Sequence, residues 1–176
     1  MAKPAVFFDR DGVVNESPGE GYVTTWEDFH LCSGIEHALR VCSERGFLKV
    51  LVTSQRCVGK GLLTESQLER IHTHMQEAIG SGGGHRFDAI YTFTGLPGSE
   101  GWEKPKPGMI EAARNENDIN LDGSWLVGDH DRDIAMAQSA GVPRTIRVRS
   151  HHPIGLSATH TIDSTAELPQ LLERVL

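Results

Sequence analysis

A chain of 176 residues is long enough to bury one substantial core without disulfides or a structural metal, and a single domain, residues 1–176, is the expectation. The hydrophobic share of 38%, aromatic share of 6% and charged share of 23% exclude a disordered or membrane-embedded chain. A formal net charge of −7 speaks against a nucleic-acid footprint across a whole face, because such binding rests on phosphate neutralisation by Lys and Arg.

The opening Met1–Phe8 is too short an apolar run for a secretion signal, and no later segment approaches the roughly 18 apolar residues of a membrane span. A cytoplasmic protein with no membrane partner is expected. Ala5–Phe8 has strand character and runs into Asp9-Arg10-Asp11-Gly12, where Gly12 permits a turn. Ile35, Ala38, Leu39 and Cys42 recur at helical spacing, with Gly46 as a natural stop. Phe47–Val52 reads as the second strand, followed by Thr53 and Ser54. Cys32, Cys42 and Cys57 share no metal-binding spacing and read as free thiols.

Thr64 and Gln67 fit a capping box. The helix they open carries the stripe Leu68, Ile71, Met75 and Ile79 and is expected to end at the glycines Gly80–Gly84. Phe87–Phe93 is the third strand. Lys104 stands between Glu103 and Pro105, and Pro107 opens a helix through Ile110, Ala113 and Arg114. Trp125–Val127, the fourth strand, ends in Gly128-Asp129, and Asp133–Ala140 before Gly141 reads as a helix. Thr145–Val148 is a fifth strand. The basic residues around it, Arg144 to Arg149 with His151 and His152, read as its solvent side rather than as a nucleic-acid surface. Ala166–Val175 supplies a closing helix.

Strand followed by helix, repeated, predicts an α/β fold with a doubly wound parallel sheet covered on both faces. Such folds place ligands at the carboxyl ends of their strands. Asp9, Asp11, Thr53, Lys104, Asp129 and Asp133 therefore arrive at one sheet edge. Clustered carboxylates are costly unless a divalent cation neutralises them, and hard oxygen ligands suit magnesium. A hydroxyl and an ammonium facing the same metal make a site for a phosphoryl group, and carboxylate nucleophiles are an established solution for phosphoryl transfer. Each piece alone has an ordinary reading: a solvated turn at Asp9-Arg10-Asp11-Gly12, a surface charge at Lys104, a helix cap at Asp133. Their joint placement in chain order favours chemistry.

Phe7-Phe8-Asp9-Arg10-Asp11-Gly12-Val13-Val14-Asn15 resembles motif I of the haloacid dehalogenase-like (HAD) superfamily. Gly21-Tyr22-Val23, Val52-Thr53-Ser54-Gln55, Lys104-Pro105-Lys106-Pro107-Gly108-Met109 and Gly128-Asp129 with Asp133 extend the resemblance to its branch of histidinol-phosphate and heptose 1,7-bisphosphate phosphatases. That resemblance implies a phosphatase acting on a small phosphate monoester, with Asp9 as nucleophile and Asp11 as acid and then base. It further implies Thr53 and Lys104 on the phosphoryl oxygens, and magnesium held by Asp9, the Asp11 carbonyl and Asp129. Asp133 would reach the metal through water or orient Lys104. The intervals between motifs leave no room for a large cap domain, so a capless protein is expected.

The chain departs from the branch where the leaving group would lie. Relatives carry Arg before the motif III lysine and Asn-Gln-Ser-Gly after the motif II threonine; here stand Glu103 and Ser54-Gln55-Arg56-Cys57, with His130 after Asp129. Ser54, Arg56, Lys60, Glu103 and His130 are therefore the expected substrate-binding residues. Many relatives hold zinc in a loop before motif III, whereas the matching positions here are Phe93, Gly95, Glu100 and Trp102, so no zinc is expected. Two other readings compete: a phosphatase of nucleic-acid 3′-phosphate ends, and a non-catalytic receiver-like module phosphorylated on Asp9.

Overall fold

The computed structural model describes residues 2–176; Met1, where the expected domain begins, lies outside them. A six-stranded, wholly parallel sheet forms the middle layer. Its strands are β1 (Ala5–Phe8), β2 (Leu48–Ser54), β3 (Ala89–Phe93), β4 (Trp125–Gly128), β5 (Arg144–Val148) and β6 (His160–Ile162). The helices are α1 (Ile35–Glu44), α2 (Arg56–Gly59), α3 (Glu65–Ser81), α4 (Gly108–Asn117), α5 (Asp131–Ala140) and α6 (Leu168–Val175). The spatial order β3-β2-β1-β4-β5-β6 reverses direction at β1, so β1 and β4 open a crevice at their carboxyl ends. The expected doubly wound α/β architecture is realised.

The strands are buried on both faces because alternate side chains feed two cores. Val6, Phe8, Leu51, Trp125 and Val127 pack on one face with Ile35, Leu39, Ile71, Met75, Ile79 and Leu172 of α1, α3 and α6. Ala5, Phe7, Val50, Val52 and Leu126 pack on the other with Met109, Ile110 and Ala113 of α4 and Met136 and Ala137 of α5. No further domain is inserted between β1 and α1, where a long loop runs, or between β2 and β3, where α2 and α3 lie. None of the helices among the described residues is long and apolar enough to cross a membrane.

Several boundaries differ from expectation for identifiable reasons. β6 is an unexpected sixth strand; only Ile162 of its three residues is buried, too little for a period to register. β2 extends through Thr53 and Ser54, since pairing with Thr92 and Phe93 of β3 carries the ladder past the apolar run. Phe87 precedes β3 rather than opening it, and exchanges two hydrogen bonds with the Gln76 side chain. The capping box of α3 forms as expected, but the helix continues through Gly80 to Ser81. α5 starts at Asp131, two residues before the expected Asp133, with His130 as its cap.

Candidate active site

Asp9 follows the last residue of β1, and its backbone N–H donates to the Val127 carbonyl of β4 at 3.0 Å, which fixes it between the two strands. The chain then turns at Gly12, whose φ of 86° lies in the left-handed region open to glycine. A side chain there would also collide with the Asp129 carboxylate, so glycine is what lets the turn lie against β4. β4 delivers Asp129 at its carboxyl end, and the first turn of α5 delivers Asp133. A carboxylate at that turn suits the helix dipole, and Asp133 Oδ2 accepts from the backbone N–H groups of Asp129 and His130. Asp133 thus has the ordinary capping role.

Lys104, almost wholly buried, donates through Nζ to Asp9 Oδ1 at 2.6 Å and to Asp133 Oδ1 at 2.8 Å. Asp133 thus holds the Lys104 ammonium beside Asp9. Carboxylate oxygens of Asp9, Asp129 and Asp133 lie within 4.8 Å of one another. Three acids against one ammonium leave negative charge in excess. Burial, then the neighbouring Asp133 and Asp129, push the Asp9 carboxyl up to about 7 despite Lys104. Burial and Asp133 likewise raise Asp129 to about 6. Such shifts measure how poorly the cluster tolerates its own charge, and an all-oxygen donor set with unmet negative charge fits a hard divalent cation.

Asp11 has a different environment. Its Oδ1 accepts from Arg10 Nε, Arg10 Nη2 and Asn15 Nδ2, and its Oδ2 accepts from Gln55 Nε2. Burial raises its pKa, but Arg10, Asn15 and Gln55 outweigh burial and hold the carboxyl below the usual range. Two carboxylates two residues apart therefore have opposite tendencies. Gln55 Nε2 also donates to Thr53 Oγ1 at 2.8 Å, which links the β2 hydroxyl to Asp11. Behind this network Arg10 is wholly buried, its Nη1 lying 3.3 Å from His72 Nε2 of α3.

A recess of about 200 Å³ opens onto these residues. Asp11 and Asp129 lie at one side, with Ser17–Tyr22 of the β1–α1 loop, Ser54, Arg56, Arg132 and His152 around them. A larger hollow of about 660 Å³ beside Asp118, Asn120 and Gly141 lies at the opposite strand ends and collects no comparable cluster. Ser54 and Arg56 thus border the recess as expected. Lys60, Glu103 and His130 stand one contact back from it, against Tyr22, Arg56 and His152. Lys60 is exposed and donates to the Tyr22 hydroxyl at 2.9 Å. Glu103 forms an ion pair with Arg56 and accepts from the Gly98 N–H at 2.8 Å, contacts that hold it below the usual carboxylate range. His130 caps α5, its Nδ1 accepting from the Arg132 N–H at 3.1 Å.

Arg132 and His152, which were not among the expected residues, line the recess. His152 was legible by position, since it lies in the loop that leaves the carboxyl end of β5. Arg132 gave no signal, since the helix was expected to begin only at Asp133 and the first turn that holds Arg132 was not foreseen. The loop carrying His152 is secured by Asp131, which accepts from the buried Arg147 at 2.6 Å and from the backbone N–H groups of Gly155 and Leu156.

Residues 101–153 match the model of a HAD-hydrolase-like family. The chain is 36% identical to D-glycero-beta-D-manno-heptose-1,7-bisphosphate 7-phosphatase of Vibrio cholerae, covering 99% of each chain. It is 33% identical to the enzyme of the same name from Escherichia coli K12, covering 99% of this chain and 97% of that one. Among solved structures, a D,D-heptose 1,7-bisphosphate phosphatase from B. bronchiseptica, complexed with magnesium and phosphate, superposes with a TM-score of 0.82 at 26% identity. That alignment covers 97% of this chain and 99% of the other.

Proposed function

The chain belongs to the family of HAD-like phosphatases, and from that membership we propose that it hydrolyses a small phosphorylated sugar through a phosphorylated Asp9, with a heptose bisphosphate as the first substrate to test. It is a phosphoric monoester hydrolase. The observation that carries the mechanism is the divergence of the two motif I carboxylates: Asp9 among acids and an ammonium, Asp11 clamped by hydrogen-bond donors. Unequal environments of this kind assign unequal roles.

Asp9 attacks phosphorus; a bond forms from its carboxylate oxygen as the ester P–O bond breaks. Asp11 rests as a carboxylate, so it takes the proton that a monoanionic ester brings and passes it to the departing alcohol oxygen. In the second half Asp11 removes a proton from water, which attacks the same phosphorus and frees Asp9 and inorganic phosphate. In this reading Thr53, tied to Asp11 through Gln55, and Lys104, bridging Asp9 and Asp133, bind the phosphoryl oxygens, which their hydrogen bonds to the two motif I carboxylates and to Gln55 support. Asp9 and Asp129, with the Asp11 carbonyl, would hold magnesium, and Asp133 would act from behind them. When bound, the cation offsets the excess negative charge and draws charge off the phosphoryl group.

The test is Asp9→Asn, which keeps volume and loses the nucleophile: phosphate release should fall by at least about 10³-fold with the fold retained by circular dichroism. Activity should also vanish in chelator and return with magnesium. Near-wild-type turnover in Asp9→Asn would reject the covalent route.

A further inference from the structure

The recess holds more hydrogen-bonding capacity than the protein uses. Ser54 Oγ, Arg56 Nε and Arg132 Nε are each buried and have no partner among the described residues, and all three belong to side chains lining it. Buried donors without acceptors are costly, and where they converge on an open recess they mark a place for a ligand. The two arginines differ. Arg56 is matched by Glu103, so that pair brings little net charge. Arg132 forms no ion pair among the described residues, although acids stand on both sides of it in sequence. Asp131 is committed to Arg147, and Asp133 to Lys104. Arg132 also lies in the first turn of α5, where the helix dipole disfavours a cation. Its backbone N–H is held by His130 Nδ1, so the side chain starts from a fixed point.

We propose that Arg132 is a specificity-determining residue that receives a second oxyanion, phosphate or carboxylate, carried by the alcohol part of the substrate, with Ser54 and Arg56 completing the contact from β2 and the start of α2. The inference rests on the phosphatase reading and adds to it the residue that reads the leaving group. An arginine with free donors in a fixed fork is suited to such groups. In this proposal the Glu103 carboxylate orients Arg56, and the recognising cation lies on α5.

The test compares matched ester pairs with wild type, Arg132→Met and Arg132→Gln. Glucose 1,6-bisphosphate against glucose 6-phosphate isolates a second phosphate, and 6-phosphogluconate against glucitol 6-phosphate isolates a carboxylate. Wild type should prefer the doubly anionic member of at least one pair, and both variants should lower that kcat/KM ratio tenfold or more. The pair that responds identifies the oxyanion. Equal losses on both members, or an unchanged ratio in both pairs, would overturn the proposal, because a residue that only steadies Asp129 or α5 would affect all esters alike. Equilibrium binding of the same esters to Asp9→Asn and to Asp9→Asn with Arg132→Met reads the contact without turnover. Failure of wild type to release phosphate from any ester, p-nitrophenyl phosphate included, would instead count against the phosphatase reading, and the binding difference would still decide the role of Arg132.

Discussion

His72 illustrates how a side chain remote from the reacting atoms can carry a measurable charge effect. Burial, then the adjacent Arg10, depresses its imidazole to about 3, so it presents a neutral ring to the guanidinium that clamps Asp11. An unfolded chain takes up this proton below about 6.5, which the folded chain refuses until about 3. His72 therefore favours folding fully above that range, and its contribution is lost as pH falls through it. Asp9 and Asp129 have the opposite sign at overlapping pH, so the His72 share is isolated by difference. His72→Gln, which keeps an acceptor for Arg10, should reduce the pH slope of urea-unfolding stability between pH 4 and 6 by up to about one proton; identical slopes would refute it. At this scale the sequence was informative where chemistry has a local signature. Asp9, Asp129, Lys104 and Asp133 follow apolar strands or a proline-bound segment, and they do converge. Gln55 was visible as a motif residue, but its bridge between Thr53 and Asp11 depends on the curl of the chain after β2. The pairing of Glu103 with Arg56 was not legible, because the two are distant in sequence and nothing local announces the pair.

Among the elements, α3 shows how far local rules reach. Thr64 and Gln67 exchange backbone and side-chain hydrogen bonds as their spacing predicts, and Leu68, Ile71, Met75 and Ile79 face the sheet. Thr64 is exposed, so the cap can be removed without disturbing the core. Thr64→Ala should cost about 1 kcal/mol, while Met75→Ala, which empties a wholly buried position, should cost about 2–5 kcal/mol. Chemical denaturation of both variants checks the two; a cap cost equal to the core cost would show α3 to be held by its end rather than its face. Long, periodic helices and strands with continuous apolar runs were legible. β6 was not, because it adds one buried residue at a sheet edge and is held by pairing with β5. The start of α5 was misplaced because His130 is an unusual cap, a role usually taken by Ser, Thr, Asp or Asn.

For the whole molecule, the absence of an inserted domain determines what reaches the intermediate. With the proposed phosphorylated Asp9 lying beneath a recess that no inserted domain covers, we expect water to reach the intermediate without the closing of such a domain. The partition of phosphoryl groups should then follow supply: water at its full concentration wins, and a small alcohol competes only in proportion to its own. A protein that shielded the same intermediate could hand phosphate from one sugar to another; on the proposed mechanism this one would discard it. Adding methanol or glycerol at molar concentration should yield alkyl phosphate in linear proportion to the alcohol, with no saturation. A saturating transfer yield would reveal an acceptor-binding site and overturn that expectation. The same openness ties selectivity to the first encounter, because once Asp9 is phosphorylated the alcohol that was recognised has already gone.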